Sequence, residues 1–208
     1  MKLNAVERDV NKASKRWGKE TWLFPKERIL GVNGFYGNDK IFIVGPSPGM
    51  VPLGVDRQYL NPFCLFLYYY LKKYKYSNAH ITDLIKIGGN YREFWGKNGI
   101  DNSTLAENIK IFIDEISIIR PKHIIFCSLW FRNFFKKNKK FKEVCRLVKE
   151  KYNIDINFKS KPKLIEIRSQ KDKVKCLSVQ YSIISHFSRT HILNTAKVFI
   201  RELRKNLP

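Results

Sequence analysis

Two rhythms of apolar residues alternate along the chain. Ala5, Val6, Val10, Ala13 and Trp17 fall at helical spacing and predict a helix over residues 4–17. Gly31–Asp39 ("GVNGFYGND") reads as a loop from its Gly and Asn content. The following "KIFIVG" is apolar without alternation, the pattern of a strand buried on both faces. Phe63–Tyr74 predicts a helix rich in aromatics, and Ala79–Ile85 ("AHITDLI") a second strand. A loop with two adjacent glycines and Trp95 leads to a helix starting near Thr104, where Thr104 and Glu107 stand at capping-box spacing. Leu105, Ile109, Phe112, Ile113 and Ile116 form its apolar face, and Pro121 ends it. His123–Leu129 is a third buried strand, followed by a basic helical region to about Lys151. Strands near Leu164–Arg168 and Val174–Tyr181 come next, and a last helix carries Ile192, Ala196, Phe199, Ile200 and Leu203 on one side. Short buried strands alternating with amphipathic helices predict an α/β fold, a three-layer sandwich around a mainly parallel central sheet. The expectation is one domain over residues 1–208, with 1–39 a helical and loop extension.

Composition adds a partner to this outline. Forty Lys and Arg against 18 Asp and Glu give a formal net charge of +22. Such an excess repels itself unless polyanions are near, which points to nucleic acid. Solvated lysine-rich helix faces are the plainer alternative. Phe134–Lys142 ("FFKKNKKFK") and Lys159–Lys163 ("KSKPK") fit either reading, because phosphate contacts and solubility use the same side chains. No apolar run approaches the roughly 18–20 residues needed to cross a bilayer. The amino terminus carries charges throughout and lacks the apolar stretch of a secretion signal. A cytoplasmic protein, without membrane attachment and acting as a monomer, is expected. Cys64, Cys127, Cys145 and Cys176 are widely separated, with no C-x-x-C pair. They read as buried reduced thiols, and no metal or cofactor is expected.

In a parallel sheet the ligand site lies outside the carboxyl ends of the strands. That rule selects three loops, beginning after Val44, near Asp83 and after Ile184. In the first, Pro46 and Pro48 fix the path while Gly45 and Gly49 permit close backbone approach, so the loop can present Ser47 and backbone N–H groups to a phosphate or a base. A structural turn is the simpler account. Asp83 ends "HITD", where a carboxylate can also serve as a helix cap. "SHFSRTH" (Ser185–His191) gathers two imidazoles, hydroxyls and Arg189 before a helix. An N-cap role explains Ser188 or Thr190 but leaves His186 unexplained.

In this order and spacing the three loops resemble those of the uracil-DNA glycosylase superfamily. The likeness rests on "G-x-x-P-G" at Gly45, Pro48 and Gly49, on Thr82 and Asp83 at a strand end, and on "H-x-S" at His186 and Ser188. The intervening "STLAENIKIFIDEISIIRPKHIIFCSLWFRNFF" is similar to the helix and strand between the family's second and third motifs, so the resemblance spans about residues 40–204. It implies a monofunctional enzyme that flips a nucleotide out of DNA and hydrolyses its N-glycosidic bond, for repair or, on the strength of Asp83 alone, for defence against phages with modified cytosine. It further implies that His186 donates to O2 of a departing pyrimidine, and that Ser188 with the backbone at Pro48 and Gly49 grips phosphates. Arg189 would wedge into the vacated stack and Phe63 would stack on the base, although Phe63 reads equally as core.

Two positions depart from that pattern. Ser47 stands where many members carry Asp or Asn to orient water, and a hydroxyl is no general base at neutral pH. Asp83 stands where uracil enzymes typically offer Asn. An ionised carboxylate only accepts hydrogen bonds, which suits the exocyclic amine of a cytosine-type base, including hydroxymethylcytosine and its glucosylated form. Alternatively Asp83 activates the water. Two further readings stay open: a non-catalytic duplex-binding module on the same fold, and a small-phosphate enzyme, which no P-loop lysine or dinucleotide glycine pattern supports.

Overall fold

The computed structural model describes residues 3–18, 21, 33–37, 40–46, 69, 71–89, 91–128, 131–169, 175–184, 201, 204 and 205. Six strands form one sheet: β1 (Ile41–Gly45), β2 (His80–Asp83), β3 (His123–Cys127), β4 (Ile154–Ser160), β5 (Lys163–Ser169) and β6 (Lys175–Ile184), in the order β2-β1-β3-β6-β5-β4. β2, β1, β3 and β6 run parallel, and β5 and β4 add an antiparallel edge. The chain is thus α/β with a mixed, mostly parallel sheet. The described helices are α1 (Leu3–Trp17), α2 (Tyr91–Trp95), α3 (Asn102–Ile119), α4 (Phe131–Lys137) and α5 (Lys139–Tyr152), with a 3-10 turn at Gly34–Tyr36.

Residues opposite one another in register share a face of the sheet. Phe42 therefore shares its face with His80 and Ile124, and α3 packs there: Phe112 meets Phe42 at 5.7 Å and Phe126 at 6.4 Å between ring centroids. Every residue of β3 and residues 41–44 of β1 are buried, so both faces are covered along these strands. In β6, Val179 and Tyr181 are buried while Cys176, Ser178 and Gln180 are exposed. One face of the sheet is therefore open to water on the antiparallel side.

The run "FFKKNKKFK" forms two helices rather than one, because Asn138 interrupts it and caps α5 by accepting from the Phe141 N–H at 2.8 Å. Phe134, Phe135 and Phe141 turn inward, and Phe135 stacks on Phe158 of β4 with centroids 4.0 Å apart. Lys136, Lys137, Lys139 and Lys142 stay exposed. Each buried phenyl ring contributes roughly 1.5–3 kcal/mol by leaving water, enough to seat these helices while their charges remain outside.

Several sequence expectations need correction. β4 falls where no strand is expected, although Ile154, Ile156 and Phe158 alternate with Asp155, Asn157 and Lys159. β2 ends at Asp83 rather than Ile85, and β6 continues to Ile184. The segment around Trp95, expected as loop, is the short helix α2, and Trp95 packs against Phe134 at 4.7 Å. The Gly31–Asp39 loop contains the 3-10 turn. Cys127 is buried, but Cys176 is exposed on the open face of β6, and Cys64 lies outside the described residues.

The capping box gives way as well. The N-cap of α3 is Asp101, whose Oδ1 accepts from the Thr104 N–H at 2.8 Å. Glu107 instead accepts from Trp17 Nε1 at 2.8 Å and pairs with Arg16, tying α1 to α3. α1 buries Leu3, Val6, Val10 and Ala13, and the first three join the same apolar core as the sheet. We predict that Asp101→Ala lowers stability by about 1 kcal/mol in urea unfolding, whereas Asp101→Asn, which keeps the acceptor, changes it by a few tenths.

Candidate functional site

The four parallel strands end at one edge of the sheet. Gly45 is opposite Asp83; Val44 is opposite Phe126, which makes Cys127 the next neighbour of Gly45; and Cys127 is opposite Ile184. Asp83, Gly45, Cys127 and Ile184 thus form one row, roughly 14 Å long at about 4.8 Å per strand. The chain leaves this row from β1 towards Ser47 and from β6 towards His186, each two residues further on. Gly45, Pro46 and Asp83 are placed by the structure. Ser47, Pro48, Gly49, Phe63, His186, Ser188 and Arg189 lie outside the described residues.

The β1–β2 ladder continues past the last strand residue. Gly45 O accepts from Leu84 N at 2.8 Å and Pro46 O from Ile85 N at 3.2 Å. This doubled contact brings the Asp83 carboxyl over the Gly45 backbone. A methyl group at Gly45 would stand 2.1 Å from Asp83 Oδ1, far inside contact distance, so any larger residue there forces the carboxyl to move.

Asp83 is only 5% exposed. Burial pushes its pKa up to about 7; Lys86 pulls it back and Glu115 adds to the rise. A carboxyl poised near neutrality exchanges a proton under ordinary conditions, the property required of a general acid or base. The Cys127 thiol beside it is raised far above its usual range by burial and then by Asp83, so it stays protonated and unreactive.

A buried polar cluster lies behind the row. Lys86, fully enclosed, donates to Thr82 Oγ1 at 2.7 Å and to the Asp83 carbonyl, and its ammonium is 2.9 Å from Glu115 Oε1 without hydrogen-bond alignment. His80 Nε2 is 3.5 Å from Glu115 Oε2, and its ring stacks on Phe42 at 4.5 Å. Burial alone would raise Glu115, but Lys86 and His80 outweigh it and hold the carboxyl below its ordinary value. Asn108 of α3 accepts from the Lys86 N–H at 2.8 Å and donates to Thr104 O at 2.9 Å. Sequence reasoning missed Lys86, Glu115 and His80. The signal was a charge inside otherwise apolar runs, Lys86 after "ITDLI" and Glu115 within "IFIDEISII".

Among the described residues no group of three or more His, Cys, Asp or Glu side chains could hold a metal ion, and no helix is long and apolar enough to cross a membrane. The arrangement is that of an α/β protein with a buried carboxyl of raised pKa, Asp83, at the carboxyl edge of its parallel strands. No protein-family model matches the chain, and no curated protein matches it in sequence.

Two outcomes are expected here. Gly45→Ala costs about 1–3 kcal/mol in urea unfolding by overpacking, and most of that loss disappears when Asp83 is also Ala, a coupling a double-mutant cycle reads. Because the folded pKa of Asp83 is raised, its contribution to stability is fully present below pH 3.8 and is lost as pH rises through about 7. Asp83→Asn does not titrate, so the stability of this variant relative to the parent improves across that window, by a few kcal/mol at about 1.4 kcal/mol per pH unit.

Proposed function

We propose that the protein is a DNA glycosylase of the uracil-DNA glycosylase type, with its sheet as the middle of three layers. It extrudes a nucleotide and hydrolyses the bond between its base and sugar. The observation that carries this reading is the buried, proton-exchanging carboxyl of Asp83 against Gly45, on the row from which the loops to Ser47 and His186 depart. The charge of +22 supports a polyanionic partner.

In this reading the C1′–N bond breaks with its electron pair passing to the base, water adds at C1′, and the proton of that water goes to a base. His186 donates to the charge developing on O2 of the pyrimidine. Ser47 holds the water, while Ser188, Pro48 and Gly49 hold the flanking phosphates. Arg189 fills the stack and Phe63 covers the extruded ring.

The titration of Asp83 recasts the choice of base. Ionised, the carboxyl accepts from the amine of a cytosine-type base, or takes the proton of the water. Protonated, it both donates and accepts, as the amide of Asn would, and can address O4 of uracil. The direction of the pH profile separates these roles. If protonated Asp83 reads uracil, excision falls as pH rises through about 7; if ionised Asp83 reads an amine or activates water, it rises over the same window.

The test is alkaline cleavage of duplexes bearing uracil, cytosine, hydroxymethylcytosine or glucosylated hydroxymethylcytosine. We expect an abasic product from at least one, and a loss of about 100-fold or more in Asp83→Ala and His186→Ala. Activity on uracil alone removes the cytosine version. Salt-sensitive duplex binding with no abasic product from any substrate replaces the enzyme with a non-catalytic DNA-binding module.

A further inference from the structure

We propose that Lys86 and Glu115 act together as a positioning pair that clamps the exit of β2 and fixes the Asp83 carboxyl at the edge of the sheet. Lys86 reaches back to Thr82 and to the Asp83 carbonyl while facing Glu115 of α3. Its own backbone N–H is held by Asn108, two helical turns before Glu115 on α3. From the other side, Gly45 and Pro46 hold Leu84 and Ile85. The segment from Thr82 to Lys86 is therefore gripped by a strand on one side and by a helix on the other.

A buried ion pair needs such an explanation, because replacing one with apolar residues of similar volume is often neutral or stabilising. Here the pair brings opposite charges close to one ionisable group. Lys86 favours the carboxylate of Asp83 and Glu115 opposes it. Among the described residues, the other titratable groups around this position are His80, on β2, and the protonated thiol of Cys127, on β3.

The inference takes its catalytic sense from the glycosylase reading, but its test needs no substrate. In the full chain, carbon-13 NMR of side-chain carboxyls follows the titration of Asp83, assigned by its disappearance in Asp83→Asn. Lys86→Met is expected to raise the Asp83 midpoint and Glu115→Gln to lower it, a pair of opposite shifts that loosened packing does not produce. The double variant removes both members of the pair together, so neither Lys86 nor Glu115 is left buried without its partner, and it serves where a single variant fails to fold. In it, hydrogen exchange at the Leu84 and Ile85 amides is expected to quicken relative to the parent. An unmoved midpoint in a folded single variant, shifts of the same sign in both, or unchanged exchange in the double variant overturns the proposal. Opposite shifts without excision of any base remove the enzyme and leave the clamp; normal excision with an unmoved midpoint removes the clamp and leaves the enzyme.

Discussion

An ammonium group sealed inside a protein must be met on several sides, since the effective cost of burying each ion is several kcal/mol. Lys86 is met by a carboxylate, a hydroxyl and a main-chain carbonyl. Those partners come from α3 and from β2, so the charge is stable only when helix and strand are both in place. The geometry of the carboxyl edge follows from that condition. Asp83 is buried because its neighbours close over it, and it remains ionisable because a cation stands behind it.

The sheet divides into two parts with different duties. The parallel strands, of which β1 and β3 are apolar along nearly their whole length, form a frame whose ends align Asp83, Gly45, Cys127 and Ile184. The antiparallel pair β4–β5 extends the frame and supplies a wall for the rings of α4 and α5, where Phe158 receives Phe135. Lysines on those helices face outward, so one stretch of chain serves both core and electrostatics.

Much of the frame was legible in the sequence because fully buried strands and amphipathic helices have strong, distinct rhythms. "IFIVG", "HIIFC" and the apolar face of α3 needed no tertiary knowledge. β4 escaped because its alternation is short and sits among lysines. The cap of α3 was misplaced because two capping residues, Asp101 and Thr104, stand within one turn of each other, and Trp17, ninety residues away, claims Glu107. At the site, Gly45 and Asp83 were readable from their place at strand ends. The state of Asp83 was not, since it depends on Lys86 and on Glu115, which lies thirty-two residues further on.

The outermost strand has a consequence of its own. β4 borders the sheet, with one ladder of main-chain groups committed to β5 and exposed Asp155 and Asn157 along its length. Charged and amide side chains on a terminal strand discourage a second molecule from docking there and continuing the sheet. The sheet thereby carries its own guard against fibrous stacking.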